Sequence, residues 1–410
     1  MTPLYRQLAV VLAMFAAALL GVFWAQRLRE NDPFMAAAIP QDKPFPSLTY
    51  GIQAFLWWDS GMSGFWADST RILGFNTIKQ TFPWQEMELK PSEWNFAQAD
   101  RVVELIQSKR MYLVARLGET PSWALTEAQK AHMRATGSHD APPEDLTLFA
   151  NYCGTLAKRY AGRIKAYQIW NEPNLSREWG GQPPDATAYV ALLKACSQAI
   201  RAHDPRAILI SAGLAPTGTH DDTAHRDDIY LDAMYRSGFQ DYIDVVGAHA
   251  PGFAPPSYGP DDAERDGRGR WASFRRVEDL RKIMIQHGDA ARQMAILETG
   301  YTRDERPNSE YAWFAVTEEE RRRYIPEAFA YALEHWRPWI GLMTLIYFPK
   351  ETWTPDNEEY WWAISTYPPG HLPVYYEIAR MKKVCDDYVI PETPLGVEES
   401  EYIDNILTCP

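Results

Sequence analysis

Two glutamates in this chain each close a short apolar run and are followed at once by residues that break a strand. Residues 164–174 read Ile-Lys-Ala-Tyr-Gln-Ile-Trp-Asn-Glu-Pro-Asn. The run alternates and is rich in strand formers, and Pro173 cannot continue a central ladder, so Asn171, Glu172 and Asn174 belong at the carboxyl end of a buried strand. Met294-Ala295-Ile296-Leu297 repeats the design: Glu298 closes it, and Thr299-Gly300-Tyr301-Thr302 turns away. Two carboxylates delivered by two strands can divide proton transfer and nucleophilic attack between them.

Bringing them together takes a scaffold of many strands. Strand-like runs recur at 48–56, 75–82, 111–117, 164–170, 207–214, 242–248, 294–297 and 340–348. Between them lie helical patterns, clearest at 100–109, 146–160, 187–203, 277–286 and 318–335, with apolar residues three and four apart. This regular alternation predicts parallel pairing with right-handed crossovers, an α/β chain closed as a (β/α)8 TIM barrel over residues 47–390. A chain of 410 residues, 46% apolar, is long enough for it. Long loops at 118–145 and 249–274 fall on the carboxyl-end face, where barrel enzymes bind substrate. The second contains Asp261-Asp262-Ala263-Glu264-Arg265-Asp266-Gly267, either a solvated acidic loop or a cation site, with spacing that does not match an EF-hand. Residues 373–384 read as a closing helix, and the acidic tail 391–410 as a surface segment.

The net charge of −13 and the lack of a basic run exclude a phosphate-backbone binder. Signatures of dinucleotide binding, phosphate-binding loops and serine hydrolases are missing too. Aromatic residues make up 13%, including sixteen Trp and twenty-two Tyr, which suits either a large core or stacking on sugar rings. Of four cysteines, Cys153 and Cys196 lie in amphipathic helical patterns and read as inert buried thiols, whereas Cys385 and Cys409 bracket the tail and are expected to pair if the protein is exported. Residues 8–24 form an uncharged apolar run between Arg6 and Arg27, long enough for an uncleaved signal anchor, while Ala36-Ala37-Ala38 keeps signal cleavage open. Residues 1–29 are therefore expected to hold the protein at a membrane, and 30–46, with four prolines, to form an extended spacer. The expected location is extracytoplasmic, or secreted if the run is removed; nothing in the sequence sets the oligomeric state.

The order of these features resembles the clan A glycoside hydrolases, and within them family 39 and related bacterial cellulase-family enzymes. The motifs that carry it are Trp170-Asn171-Glu172-Pro173 and Leu297-Glu298-Thr299-Gly300, with Thr81-Phe82-Pro83-Trp84, Thr120-Pro121-Ser122-Trp123-Ala124, Gly247-Ala248-His249 and 274–280 in support. The resemblance, over about Tyr50 to Tyr376, implies a retaining glycosidase on a β-linked oligo- or polysaccharide, with Glu172 as acid/base, Glu298 as nucleophile, and no cofactor or metal. It implies that Asn171 touches the sugar 2-hydroxyl; a turn-forming asparagine is the plain alternative. His249 matches a clan position where a tyrosine normally follows, but Ala250-Pro251-Gly252 stands here, leaving Phe253 or Tyr301 to fill the space. Lys79 stands on the second strand, where many members carry an arginine that keeps the nucleophile ionised; the alternative is a lysine pointing outward. The eighth strand reads Leu345-Ile346-Tyr347-Phe348 where a tryptophan usually floors the site, so the floor is Tyr347 or a ring from Trp353, Trp361 or Trp362. Trp57, Trp58, Trp84, Trp123 and Trp179 follow predicted strand ends and are candidate stacking platforms. A binding barrel without turnover and a retaining transglycosylase are the rival functions, and the sequence names neither sugar nor linkage.

Overall fold

The computed structural model describes residues 43–385 and 388–390, together with Leu20. Eight parallel strands close a barrel: β1 Thr49–Gln53, β2 Thr77–Pro83, β3 Tyr112–Gly118, β4 Ala166–Ile169, β5 Ile208–Ser211, β6 Val245–His249, β7 Gln293–Thr299 and β8 Ile340–Leu345. Each is followed by a helix packed outside: α1 Ser63–Ile72, α2 Ala97–Ser108, α3 Leu146–Arg159, α4 Ala186–His203, α5 Asp227–Arg236, α6 Val277–Gln286, α7 Glu318–His335 and α8 Pro373–Arg380. β1 pairs with both β2 and β8, in register Gly51↔Thr77 and Gly51↔Thr344, so no strand edge is left open. The helices start where their caps are: Asp145 and Asp185 accept backbone N–H groups of α3 and α4, and Thr317 with Glu320 forms a reciprocal cap on α7.

Val114, Ala166, Ile210, Val245, Ala295, Leu297 and Leu342 fill the barrel. Phe45 plugs its amino end, buried to 2% exposure, with the Gln293 amide bonding both its N–H and its carbonyl at 3.0 Å. A Cβ on Gly341 would come within 2.9 Å of that ring, so the glycine makes room for the plug. The described end of the expected spacer is therefore part of the fold, because an open barrel bottom exposes apolar side chains that a phenyl ring can cover.

Three expectations are corrected. Cys153 and Cys196 are not free thiols but a disulfide joining α3 to α4, with Cα atoms 5.4 Å apart; the two apolar helix faces pack on each other, which brings the sulfurs together. The closing helix stops at Arg380, and the chain continues into a hairpin of Lys383–Cys385 with Tyr388–Ile390. The long loops carry helices of their own, Glu127–Thr136 and Pro260–Arg265. In the second, Asp262 bonds Arg265 and the Gly259 amide, and Asp261 bonds Arg270, so the acidic run is neutralised internally. Cys385 is disulfide-bonded, and its expected partner Cys409 lies outside the described residues, as does the tail from 391. No helix among the described residues is long and apolar enough to cross a membrane; apart from Leu20, the run 8–24 lies outside them.

Candidate active site

β4 stops at Ile169 and the chain then turns through two left-handed residues, Trp170 at φ 71° and Glu172 at φ 41°. Residues other than glycine stay there only where their surroundings over-determine them. Here the Trp170 indole donates to the Glu178 carbonyl at 2.9 Å and the Glu172 amide donates to the Gly213 carbonyl at 3.0 Å. The Asn174 side chain exchanges hydrogen bonds of 2.9 Å with the Ala215 backbone in both directions. The result is a clamped turn that lifts the Glu172 carboxyl over the barrel mouth.

Glu298 arrives from β7, in register with His249 on β6. Lys79, 1% exposed on β2, donates to Glu298 Oε1 at 2.8 Å and to the Leu297 carbonyl at 3.0 Å. His249 Nδ1 stands 2.8 Å from Glu172 Oε1 and 3.8 Å from Glu298 Oε2. One oxygen of each glutamate and one imidazole nitrogen all fall within 4.8 Å of one another. Three such ligand atoms suit a cation by spacing, but the Lys79 ammonium is already bonded to Glu298 and would repel a divalent ion. Arg177 Nη2 approaches Glu172 Oε2 at 3.5 Å.

These neighbours set the charge state. Burial pushes the Glu298 carboxyl up, but Lys79, His249 and Arg116 outweigh it and hold it at about 2. Burial brings Lys79 down to about 8 against the pull of Glu298, so it still carries its charge at neutral pH. The acid/base role expected of Glu172 calls for a carboxyl that can hold a proton near neutrality; instead, although burial raises it, the hydrogen bond and charge of His249 bring it below the usual carboxylate range, with Arg177 assisting. The protonated carboxyl nearby is Glu178, pushed up to about 8 by burial and by Glu172.

The pair sits in a cleft of about 740 Å³ walled by the loops after the strands. Residues 51–230, from β1 into α5 and including Glu172, match the family model for cellulase (glycosyl hydrolase family 5). Over that stretch the chain is similar to the clan A glycoside hydrolases. Endo-1,4-beta-xylanase A of Phanerodontia chrysosporium is 24% identical to this chain over 147 residues, which are 35% of this chain and 33% of that protein, so the chain spans about a third of the curated relative it matches. Solved structures that share its fold include a family 39 glycoside hydrolase from Bacteroides cellulosilyticus WH2 (TM-score 0.59, 16% identity, covering 86% of this chain and 67% of that one), a GH10 endoxylanase from a sugarcane soil metagenome (0.55, 16%, 81% and 96%), and a family 5 mannosidase from Rhizomucor miehei (0.55, 15%, 83% and 95%).

Of the residues expected to bind substrate, Asn171, His249 and Tyr347 line the cleft, and Lys79 lies beneath it on Glu298. Tyr347 follows β8 across a cis Ile346–Tyr347 bond, and Trp353 stands 5.1 Å from its ring. Tyr301 does not reach the cleft: it is 1% exposed, packed on Gly252 and Tyr324, and cannot replace the missing tyrosine. Phe253 packs on Phe314 instead.

The expected tryptophan platforms are also corrected. Trp57 and Trp58 both donate to the Glu86 carboxylate, Trp84 donates to the Glu88 carboxylate and Trp123 to the Glu88 backbone carbonyl, and Trp179 packs edge-on against Trp170. None of the five lines the cleft. An indole N–H seeks a partner, and the segment after β2 supplies two carboxylates and a backbone carbonyl that draw four of these rings away from the mouth.

Sequence reasoning missed Arg116, Arg177 and Glu178, all in the cleft wall. Arg116 left one signal, a lone charge inside the apolar run of β3. Tyr347, Trp353 and Trp362, expected as candidates for the floor, line the cleft together with Phe55, and Trp271 and Trp313 line it as rings that were not expected.

Proposed function

We propose that this protein is a retaining glycoside hydrolase of β-linked oligo- or polysaccharides that works by double displacement. The observation that carries it is the approach of Glu172 and Glu298 oxygens to within 4.8 Å. Retaining pairs stand about 5–5.5 Å apart, whereas inverting pairs stand about 6.5–9.5 Å apart to admit a water. Glu298, held ionised by Lys79, is the nucleophile that attacks the anomeric carbon. Glu172 is the acid/base, and with His249 at 2.8 Å a proton can sit between carboxyl and imidazole. A sugar that covers Glu172 removes water and raises its proton affinity for the first step; the carboxylate form, which His249 favours, is the base of the second step. Asn171 lines the same cleft, within reach of a 2-hydroxyl.

The relatives named as xylanases and a mannosidase support a β-linked glycan as substrate. The cleft also carries six glutamates against Arg116 and Arg177, which favours neutral over anionic sugars. The test is incubation of the protein with xylan, mannan, glucan and bacterial exopolysaccharides, with product anomers followed by NMR. A retained anomer, and loss of turnover in Glu298→Ala on every substrate, is the expected result; an inverted first product would exclude this mechanism. Membrane retention through residues 8–24 remains part of the proposal on the strength of their apolar sequence. N-terminal sequencing that recovers protein starting near residue 36–40 would replace it with secretion.

A further inference from the structure

We propose that Glu178 is a positioning residue for the acid/base: it shares the Arg177 guanidinium with Glu172, so that a proton taken up by Glu172 is matched by one given up by Glu178. The consequence for turnover rests on the glycosidase reading above, whereas the sharing itself rests on the geometry.

The segment after β4 builds this arrangement locally. Two turns in succession close it: the Leu175 N–H donates to the Glu172 carbonyl at 2.9 Å, and the Glu178 N–H donates to the Leu175 carbonyl at 3.1 Å. The Trp170 indole, on the Glu178 carbonyl, ties the far end of the segment back to its start. Arg177 is fixed from outside, since its carbonyl accepts the Ser138 hydroxyl at 2.6 Å and the His139 N–H at 2.7 Å. Its guanidinium then stands between the two carboxyl groups, with Nη2 3.5 Å from Glu172 Oε2 and Nε 3.9 Å from Glu178 Oε1. Both carboxyl side chains are largely buried, at 14% and 19% exposure. One cation beside two poorly solvated carboxyl groups offsets one negative charge, and a second negative charge is then costly.

The remaining neighbours decide which group is charged in the free cleft. Burial and Glu298 on β7 work against charge on Glu172, but His249 on β6 and Arg177 outweigh them, so Glu172 is the ionised member. Glu178 faces Glu172, Arg116 on β3, Arg177, and Asp140 in the loop after β3; burial and the two acidic neighbours prevail, and it keeps its proton up to about 8. Arg177 also feels Tyr311 after β7 and Glu358 after β8. The two glutamates therefore hold opposite states with a cation between them, and they titrate as a pair. When a bound sugar favours the proton on Glu172, the O–H bond of Glu178 breaks and one forms on Glu172, with water carrying the proton. Arg177 meets the new carboxylate through Nε, and the net charge of the three groups is unchanged. An ionised Glu178 raises the proton affinity of Glu172, which the first step needs.

The test takes the full chain and compares Glu178→Gln and Glu178→Asp with the parent. The substrates are whichever of xylohexaose, mannohexaose and cellohexaose the parent cleaves, and the matching dinitrophenyl glycoside, whose leaving group departs without protonation. Glutamine cannot ionise beside Glu172, so the alkaline limb of kcat on the hexasaccharide should move to lower pH by about one unit. On that limb the loss should be about ten-fold greater than on the dinitrophenyl glycoside. Aspartate keeps an ionisable group and should restore the limb. An unmoved limb, or equal losses on both substrates, would overturn the proposal. Infrared titration of the protonated carboxyl band needs no turnover. The parent should show a band that is lost only above neutrality and that Glu178→Gln removes. Glu172→Gln takes away a neighbouring negative charge and should move that band to lower pH; Arg177→Met takes away the cation and should move it to higher pH. Both shifts support the sharing even if the protein hydrolyses no β-glycan, and a band unmoved in either variant removes it even if hydrolysis follows the mechanism above.

Discussion

Lys79, carried by β2, and Glu298, carried by β7, form an ion pair of 2.8 Å, with the lysine almost wholly buried. A compact ammonium has replaced the planar fork expected from the clan, and it reaches the Leu297 carbonyl as well, so both its site and its charge are fixed. Arg116, one strand further on, adds to the field on Glu298.

Lys79→Met should cut kcat by about 10²–10³-fold, the scale seen when a preorganised electrostatic partner is removed. The sign of the pH effect follows from the ion pair. Glu298 is held at about 2 by a cation, so removing the cation raises its pKa and moves the acid limb of the profile to higher pH. A dinitrophenyl glycoside, which departs without protonation, isolates that limb. An acid limb that stays in place would show that Lys79 does not set the nucleophile's charge.

His249 lowers the proton affinity of Glu172, so His249→Asn should raise it. The alkaline limb of kcat/KM, which reports loss of the acid's proton, then moves to higher pH on substrates with poor leaving groups. Glu172→Ala should keep first-step activity on activated aryl glycosides and regain turnover with azide. Full hydrolysis of unactivated substrates by that variant would take Glu172 out of the mechanism.

Gly213 makes the histidine's position possible. A Cβ there would lie 2.1 Å from His249 Nε2, and the nitrogen is buried without a hydrogen-bond partner of its own. Gly213→Ala should therefore displace the imidazole and reproduce the His249→Asn profile, with a larger loss of activity because the Glu172 amide bonds the same residue. Wild-type pH dependence in Gly213→Ala would contradict this.

The Cys153–Cys196 disulfide closes a separation of 43 residues between two helices. Replacing both cysteines with alanine should lower stability by about 2–4 kcal/mol, read as a shift in the urea midpoint at constant slope. Mass spectrometry that finds Cys153 and Cys196 as free thiols in the native protein would argue against the bridge.

How much could be read in advance differs between kinds of residue. The eight strands appear as short apolar runs punctuated by breakers, and Glu172 and Glu298 stand at strand ends because Pro173 and Gly300 stop the ladders there. The tryptophans were misplaced because an indole after a strand end looks the same whether it turns to the cleft or to Glu86 and Glu88. The disulfide was misread for a related reason: Cys153 and Cys196 sit on apolar helix faces, and only the packing of α3 on α4 makes those faces meet.

The sequence by itself determined the barrel, the likeness to clan A and the two strand-end glutamates, since strand period, helix period and chain-breaking residues act over a few neighbouring positions. The tertiary structure alone decided that Lys79 neutralises Glu298, that His249 ionises Glu172, and that Trp271 and Trp313 wall the cleft. Those facts are distances between residues carried by different strands, and only closure of the barrel sets them.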